Sequence, residues 1–155
     1  MRLERDSFEL SELAERWGLS GADIRYLVAN DRMRLSVRIL SQAALISGEE
    51  LTADGEPFWV PVEETIFTGL ADLALRDAFR LVRDGQGHVS HLFLPDGHLV
   101  TLRSDDGIPV SHVDLLVRRE HAEMLERELI GVPSRRVEAP DFRLFVFAGQ
   151  EFAFT

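Results

Sequence analysis

Between Leu10 and Ile39 the hydrophobic period switches from helical to extended, and this switch restricts what the chain can fold into more than any other feature. Leu10, Leu13, Ala14 and Trp17 recur at i, i+3, i+4 and i+7, which places them on one helical face, with Glu9, Glu12, Glu15 and Arg16 mainly outside. Ser7 or Ser11 offers an N-cap, and Gly18 supplies the backbone freedom that ends a helix. Ser20 is suited to cap a second helix whose apolar stripe is Ile24, Leu27 and Val28, and Asn30-Asp31 then breaks it. The following RMRLSVRIL alternates with a period of two: Leu35, Val37 and Ile39 on one side, Arg34, Ser36 and Arg38 on the other. That pattern predicts a half-buried strand whose open face carries guanidinium groups. Two short helices across a glycine turn, followed by such a strand, predict a helix-turn-helix with a wing over residues 1–42.

Leu10, Leu13-Ala14, Trp17-Gly18-Leu19-Ser20, Ile24, Leu27 and the run from Arg34-Leu35 to Arg38-Ile39 resemble the winged helix-turn-helix of the MerR and phage excisionase families. The match covers about a fifth of the chain, mostly core and turn positions, which bear on fold more than on function. The resemblance implies a DNA-binding transcriptional regulator or an excisionase-like accessory protein of a bacterium, phage or mobile element. On it, Arg25, Tyr26 and Asn30 would meet bases or phosphates, and Arg32, Arg34 and Arg38 would clamp phosphates from the wing. The start of the second helix departs from the pattern, because Gly21-Ala22-Asp23 offers a carboxylate where those families present polar or basic groups. Asp23 also lies in the first helical turn, where it stabilises the helix dipole whether or not DNA is present.

Charge separates the chain at about the same place. The net charge is -10, and all 17 basic residues are Arg. Residues 1–40 hold seven Arg and seven acids, so the whole deficit follows residue 40, and most of the surface would repel a polyanion. With so little basic surface, DNA binding would call for a homodimer on two half-sites. The alternative is an acidic protein–protein interaction module that keeps the helix-turn-helix as a scaffold and does not touch DNA.

Residues 43–155 read as an acidic, β-rich α+β part with two further helices. Gly48 to Pro57 has the composition of an acidic loop, followed by the short strand FWVPV, which Pro61 confines to an edge or to its own end. Trp59 is a candidate partner contact. LALRDAFRLVRDG suits a helix with Leu75, Phe79 and Val82 inward and Gly85 past its end; Arg76, Arg80 and Arg83 line the other face, where nearby acids such as Asp72 favour local ion pairing. Asp96-Gly97 marks a two-residue hairpin turn that would pair Leu94 with Leu99, Phe93 with Val100 and His91 with Leu102. A strand ending near Val117 precedes an amphipathic helix on which His121, Met124, Leu125, Glu128 and Leu129 share a face. The chain closes on an aromatic hairpin, FRLFVFAGQEFAFT, whose Phe145, Phe147 and Phe152 are further candidate partner contacts.

No chemistry is expected. His91 and His98 would stand about four strand positions apart on the hairpin, too far to share one ion, and His88 would face the other way, so neither a metal nor another cofactor is predicted. The sequence lacks a nucleophile elbow, a phosphate-cradling glycine loop, an HExxH motif and any cysteine, and its acid pairs are sequence neighbours in probable loops, so no catalytic residue is assigned. Without cysteine or an apolar leader or span, the expected setting is the cytoplasm, off the membrane.

Overall fold

In the computed structural model, which describes residues 4–130, the chain is α+β with antiparallel sheets. Strand β1 (Ser7–Glu9) leads directly into α1 (Leu10–Trp17), and α2 (Gly21–Ala29) follows a three-residue turn. Gly18 closes α1 in the left-handed region at φ 69°. Ser20 and Asp23 form a reciprocal capping box: the Asp23 N–H donates to Ser20 Oγ at 3.1 Å, and the Ser20 N–H donates to the Asp23 carboxylate at 2.9 Å. Leu10, Leu13, Trp17, Ile24, Leu27 and Val28 are buried, as their spacing requires. Ser7 is not a cap; β1 takes it into a pairing with Arg118, and Glu9 occupies the N-cap position without a side-chain bond.

The next two elements are the long antiparallel strands β2 (Ser36–Leu51) and β3 (Pro57–Leu73). The expected acidic loop is the far half of this hairpin, with only Thr52–Glu56 turning. β pairing tolerates the acids because both strands are solvent-exposed there, and Pro61 fits beside a bulge that leaves Val62 unpaired. A second bulge lies between Ile39 and Gln42, where Ser41 takes φ 48° and Gly69 sits opposite. Helix α3 (Leu75–Asp84) follows, then β4 (Gln86–Val89), β5 (His91–Phe93), β6 (Leu99–Leu102), β7 (Ile108–Ser111), a single 3-10 turn, β8 (Leu116–Arg118) and α4 (Arg119–Leu125), which widens into a π turn to Ile130.

These strands close a ring. β3 pairs with β5 at Asp72 and Leu73, β5 with β6, and β6 returns to β2 at Ala44–Ser47, while β8 and β1 extend the sheet from Ser36. β4 and β7 form a separate pair. The expected division after residue 42 falls inside β2, and β1 pairs with β8, so the two parts share one sheet.

Tertiary structure also corrects local details. The β5–β6 register is His91 with Thr101, Leu92 with Val100 and Phe93 with Leu99, one residue from the expected one. Pro95, Asp96 and Gly97 form a three-residue loop with Gly97 at φ 94°, a type I turn with a glycine bulge, and this inverts which residues face inward. Ser36, expected on the open face, is 1% exposed because its hydroxyl donates to Asp72 at 2.6 Å. Asp72 therefore does not pair with Arg76; it takes Arg118 at 2.7 Å instead. In α3 the buried positions are Ala78 and Leu81, while Leu75 is 46% exposed.

Candidate interaction surface

Helix α2 is covered over most of its circumference: Asp23, Ile24, Tyr26, Leu27 and Val28 are all buried. What remains open is a narrow face of Gly21, Ala22, Arg25 and Ala29. Tyr26, at 6% exposure, belongs to the core and is withdrawn from any partner of this face. Asn30 is exposed at the end of the helix, but its side-chain amide donates to the Tyr26 carbonyl at 2.8 Å. Asp23, locked in its capping box and 4% exposed, does not point a charge outward.

The arginines expected on a wing are distributed among acids. Arg38 pairs with Asp6 at 2.7 Å, and Arg34 stands 3.7 Å from Asp31. Burial alone would raise the Asp6 carboxyl, but the Ser7 hydroxyl and Arg38 together hold it below its ordinary value. Arg34 lies before β2 rather than in it, and its backbone N–H donates to His121 Nε2 at 2.9 Å. The imidazole of His121 is half-buried; burial first, and the Arg34 charge second, keep its pKa below 6.5, so the neutral ring accepts at Nε2 and carries its proton on Nδ1. Arg25 and Arg32, by contrast, have no ion-pair partner among the described residues. The predicted basic group is thus two open cations and two matched ones.

A cleft lies beside Arg34, with the Asp72–Arg118 pair and His121 on one wall and Leu73, Ala78 and Phe93 on another. Among the described residues, no three His, Asp or Glu side chains are grouped to hold a metal, and no helix is long and apolar enough to cross a membrane. Comparison with protein-family models, curated proteins and solved structures returned no match.

The β2–β3 hairpin presents a different surface. Leu40, Leu51, Phe58, Trp59, Val62 and Ile66 are exposed by 41–66%, and elsewhere among the described residues only Leu75 and Val113 match them. Trp59 packs one side of its ring near Phe93, centroids 6.2 Å apart, and leaves the other side open. Glu49, Glu50, Glu56 and Glu63 surround the apolar groups, and all four are exposed. Trp59 stood out as a candidate from residue type alone; the exposure of Phe58, Val62 and Ile66 did not, because a short buried-type strand and an exposed hairpin share one composition. Phe145, Phe147 and Phe152 lie outside the described residues.

Proposed function

We propose that the chain is a protein-binding module in which the β2–β3 hairpin is the contact surface and the two-helix unit is the scaffold that holds it. The carrying observation is the run of exposed Leu51, Phe58, Trp59, Val62 and Ile66 along one hairpin, with Leu51, Trp59 and Ile66 on one face, Phe58 on the other, and exposed Glu49, Glu50 and Glu63 among them. Isolated surface apolar residues need no explanation, but a clustered set with a polar rim is the anatomy of a contact patch. The acidic surface after residue 40 disfavours nucleic acid there and favours a basic or mixed protein partner. The test is affinity capture on the full chain. Phe58→Asp with Val62→Asp is expected to reduce co-purifying protein at least about tenfold, read at a temperature where the variant's own Tm shows it folded, since Phe58 is 43% and Val62 62% exposed; unchanged capture overturns the reading.

A second reading, a DNA-binding regulator or excisionase-like accessory protein, is favoured by one observation: Arg25 and Arg32 carry no acid partner among the described residues, at the end of the chain where a winged helix-turn-helix would dock. It requires a homodimer, because two open cations among the arginines expected to face DNA give little counterion release. Fluorescence anisotropy on random duplex across a salt series tests it directly.

A further inference from the structure

The outer edge of β3 is the least accounted-for feature of the molecule. One edge of the strand pairs with β2 along its length, but the other meets β5 only at Asp72 and Leu73. No described strand covers residues 57–71 on that side. Within this span the bulge at Pro61 and Val62 and the irregularity near Gly69 bracket a regular ladder, in which Glu63, Glu64, Thr65, Ile66 and Phe67 face Ile46, Leu45, Ala44, Ala43 and Gln42 in unbroken register. Edges are ordinarily blunted by proline, bulges, charge or a covering element. These five residues contain no proline or bulge, include a β-favouring Thr-Ile-Phe run, and keep only charge as protection.

From this edge, and resting on the hairpin being the contact surface, we infer that Glu63–Phe67 accepts an added strand from a partner protein whose extended segment alternates basic and apolar side chains. Backbone groups on the open edge supply the ladder, and the two faces of the hairpin supply the selection. On one face Glu63 has no ion-pair partner among the described residues, so it is the carboxylate open to a cation; Glu64, on the other, already holds Arg103 at 2.8 Å. On that second face Ile66, 64% exposed, stands beside Ala43 in a shallow depression that an aliphatic side chain fills. Successive residues of a strand point to opposite faces, so one partner segment meets both demands only by alternating. A second copy of the chain fits badly, because its own 63–67 edge offers two carboxylates and no cation to meet Glu63.

The experiment uses the full chain and an end-blocked heptapeptide alternating Lys and Val. Two controls accompany it: the same peptide with Glu for Lys, and the Lys-Val peptide N-methylated at alternate backbone nitrogens. The Lys-Val peptide is expected to slow amide exchange within Glu63–Phe67 at least about tenfold. The methylated peptide is expected to leave those amides unchanged, and Glu63→Gln to weaken binding about threefold. Equal binding of the methylated peptide, or binding without protection at 63–67, overturns the inference. So does an edge already protected in the chain alone, whether at all dilutions or only at high concentration, because the cover is then the chain itself or a second copy. Capture that still depends on Phe58 and Val62 while the edge stays unprotected leaves the module reading standing and removes only the strand addition.

Discussion

The Nη2 of Arg38 lies 2.7 Å from Oδ1 of Asp6, so a cation that the strand pattern offers to phosphate already has an acid beside it. Both side chains are substantially exposed, 43% and 64%, and such a pair adds little stability, on the order of 0–1 kcal/mol. Its consequence is electrostatic: the start of β2 contributes less net positive potential than its sequence suggests. On random duplex DNA, Arg34→Ala with Arg38→Ala is expected to leave the salt dependence of any binding nearly unchanged. Arg25→Ala with Arg32→Ala should reduce the log–log slope by about two. A slope that responds to Arg38 instead would mean that the Asp6 pair opens on contact.

His121 ties α4 to the segment before β2, and the tie is proton-sensitive. Its folded pKa is held below the ordinary 6.5, chiefly by burial, so between that value and the lower folded one the unfolded chain binds a proton that the folded chain does not. The associated stability is complete above pH 6.5 and is lost as pH falls through the folded pKa. Wild type is therefore expected to lose more Tm than His121→Gln between pH of about 7.5 and about 5.5. The Gln amide oxygen can still accept from Arg34 but does not titrate. Equal losses in the two proteins would show that the imidazole does not carry this dependence.

Among the described glycines, Gly107 is the one whose replacement the fold tolerates least. It sits at φ 77°, and a Cβ there would lie 2.5 Å from the Val89 carbonyl oxygen and 2.7 Å from Ser90 Oγ. Gly55, in the turn of the long hairpin, has a similar φ of 86° with nothing within 4 Å. Gly107→Ala should lower stability by more than the roughly 1 kcal/mol that left-handed strain alone costs, and Gly55→Ala by about that amount. Denaturant unfolding of the two variants side by side checks the difference. Equal costs would mean that the Val89 backbone moves aside freely.

The two-helix unit was legible because its determinants are local. Gly18 ends α1 by its own conformational freedom, Ser20 and Asp23 cap α2 within one turn, and the apolar spacing selects the faces. The β5–β6 register was misread by one residue because Asp96-Gly97 suggests a two-residue turn, whereas Pro95 extends the loop to three. One inserted residue exchanges the faces of one strand relative to the other, so Leu92 rather than Phe93 shares a face with Val100.

Partnership was the information that local pattern lacked. Ser36 and Arg38 look alike as outward positions on an alternating strand, yet Ser36 is buried against Asp72 and Arg38 is matched to Asp6, which lies 32 residues away. Asp72 had Arg76 one helical turn ahead and instead bonds Arg118, 46 residues distant. The stretch from Gly48 to Pro57 carries the composition of a loop, yet Gly48 to Leu51 and Pro57 are strand, because a long-range ladder between β2 and β3 satisfies their backbone.

By itself, then, the sequence determined where the first helix ends, where the second begins and ends, which of their faces is apolar, and how unevenly charge is spread, since each depends on neighbours within a turn or two. Only the tertiary structure decided which cations stay open, how far the long hairpin runs, and which strand edge is left uncovered. Those outcomes depend on pairings between residues tens of positions apart, and one chain segment carries no record of the partner it will meet.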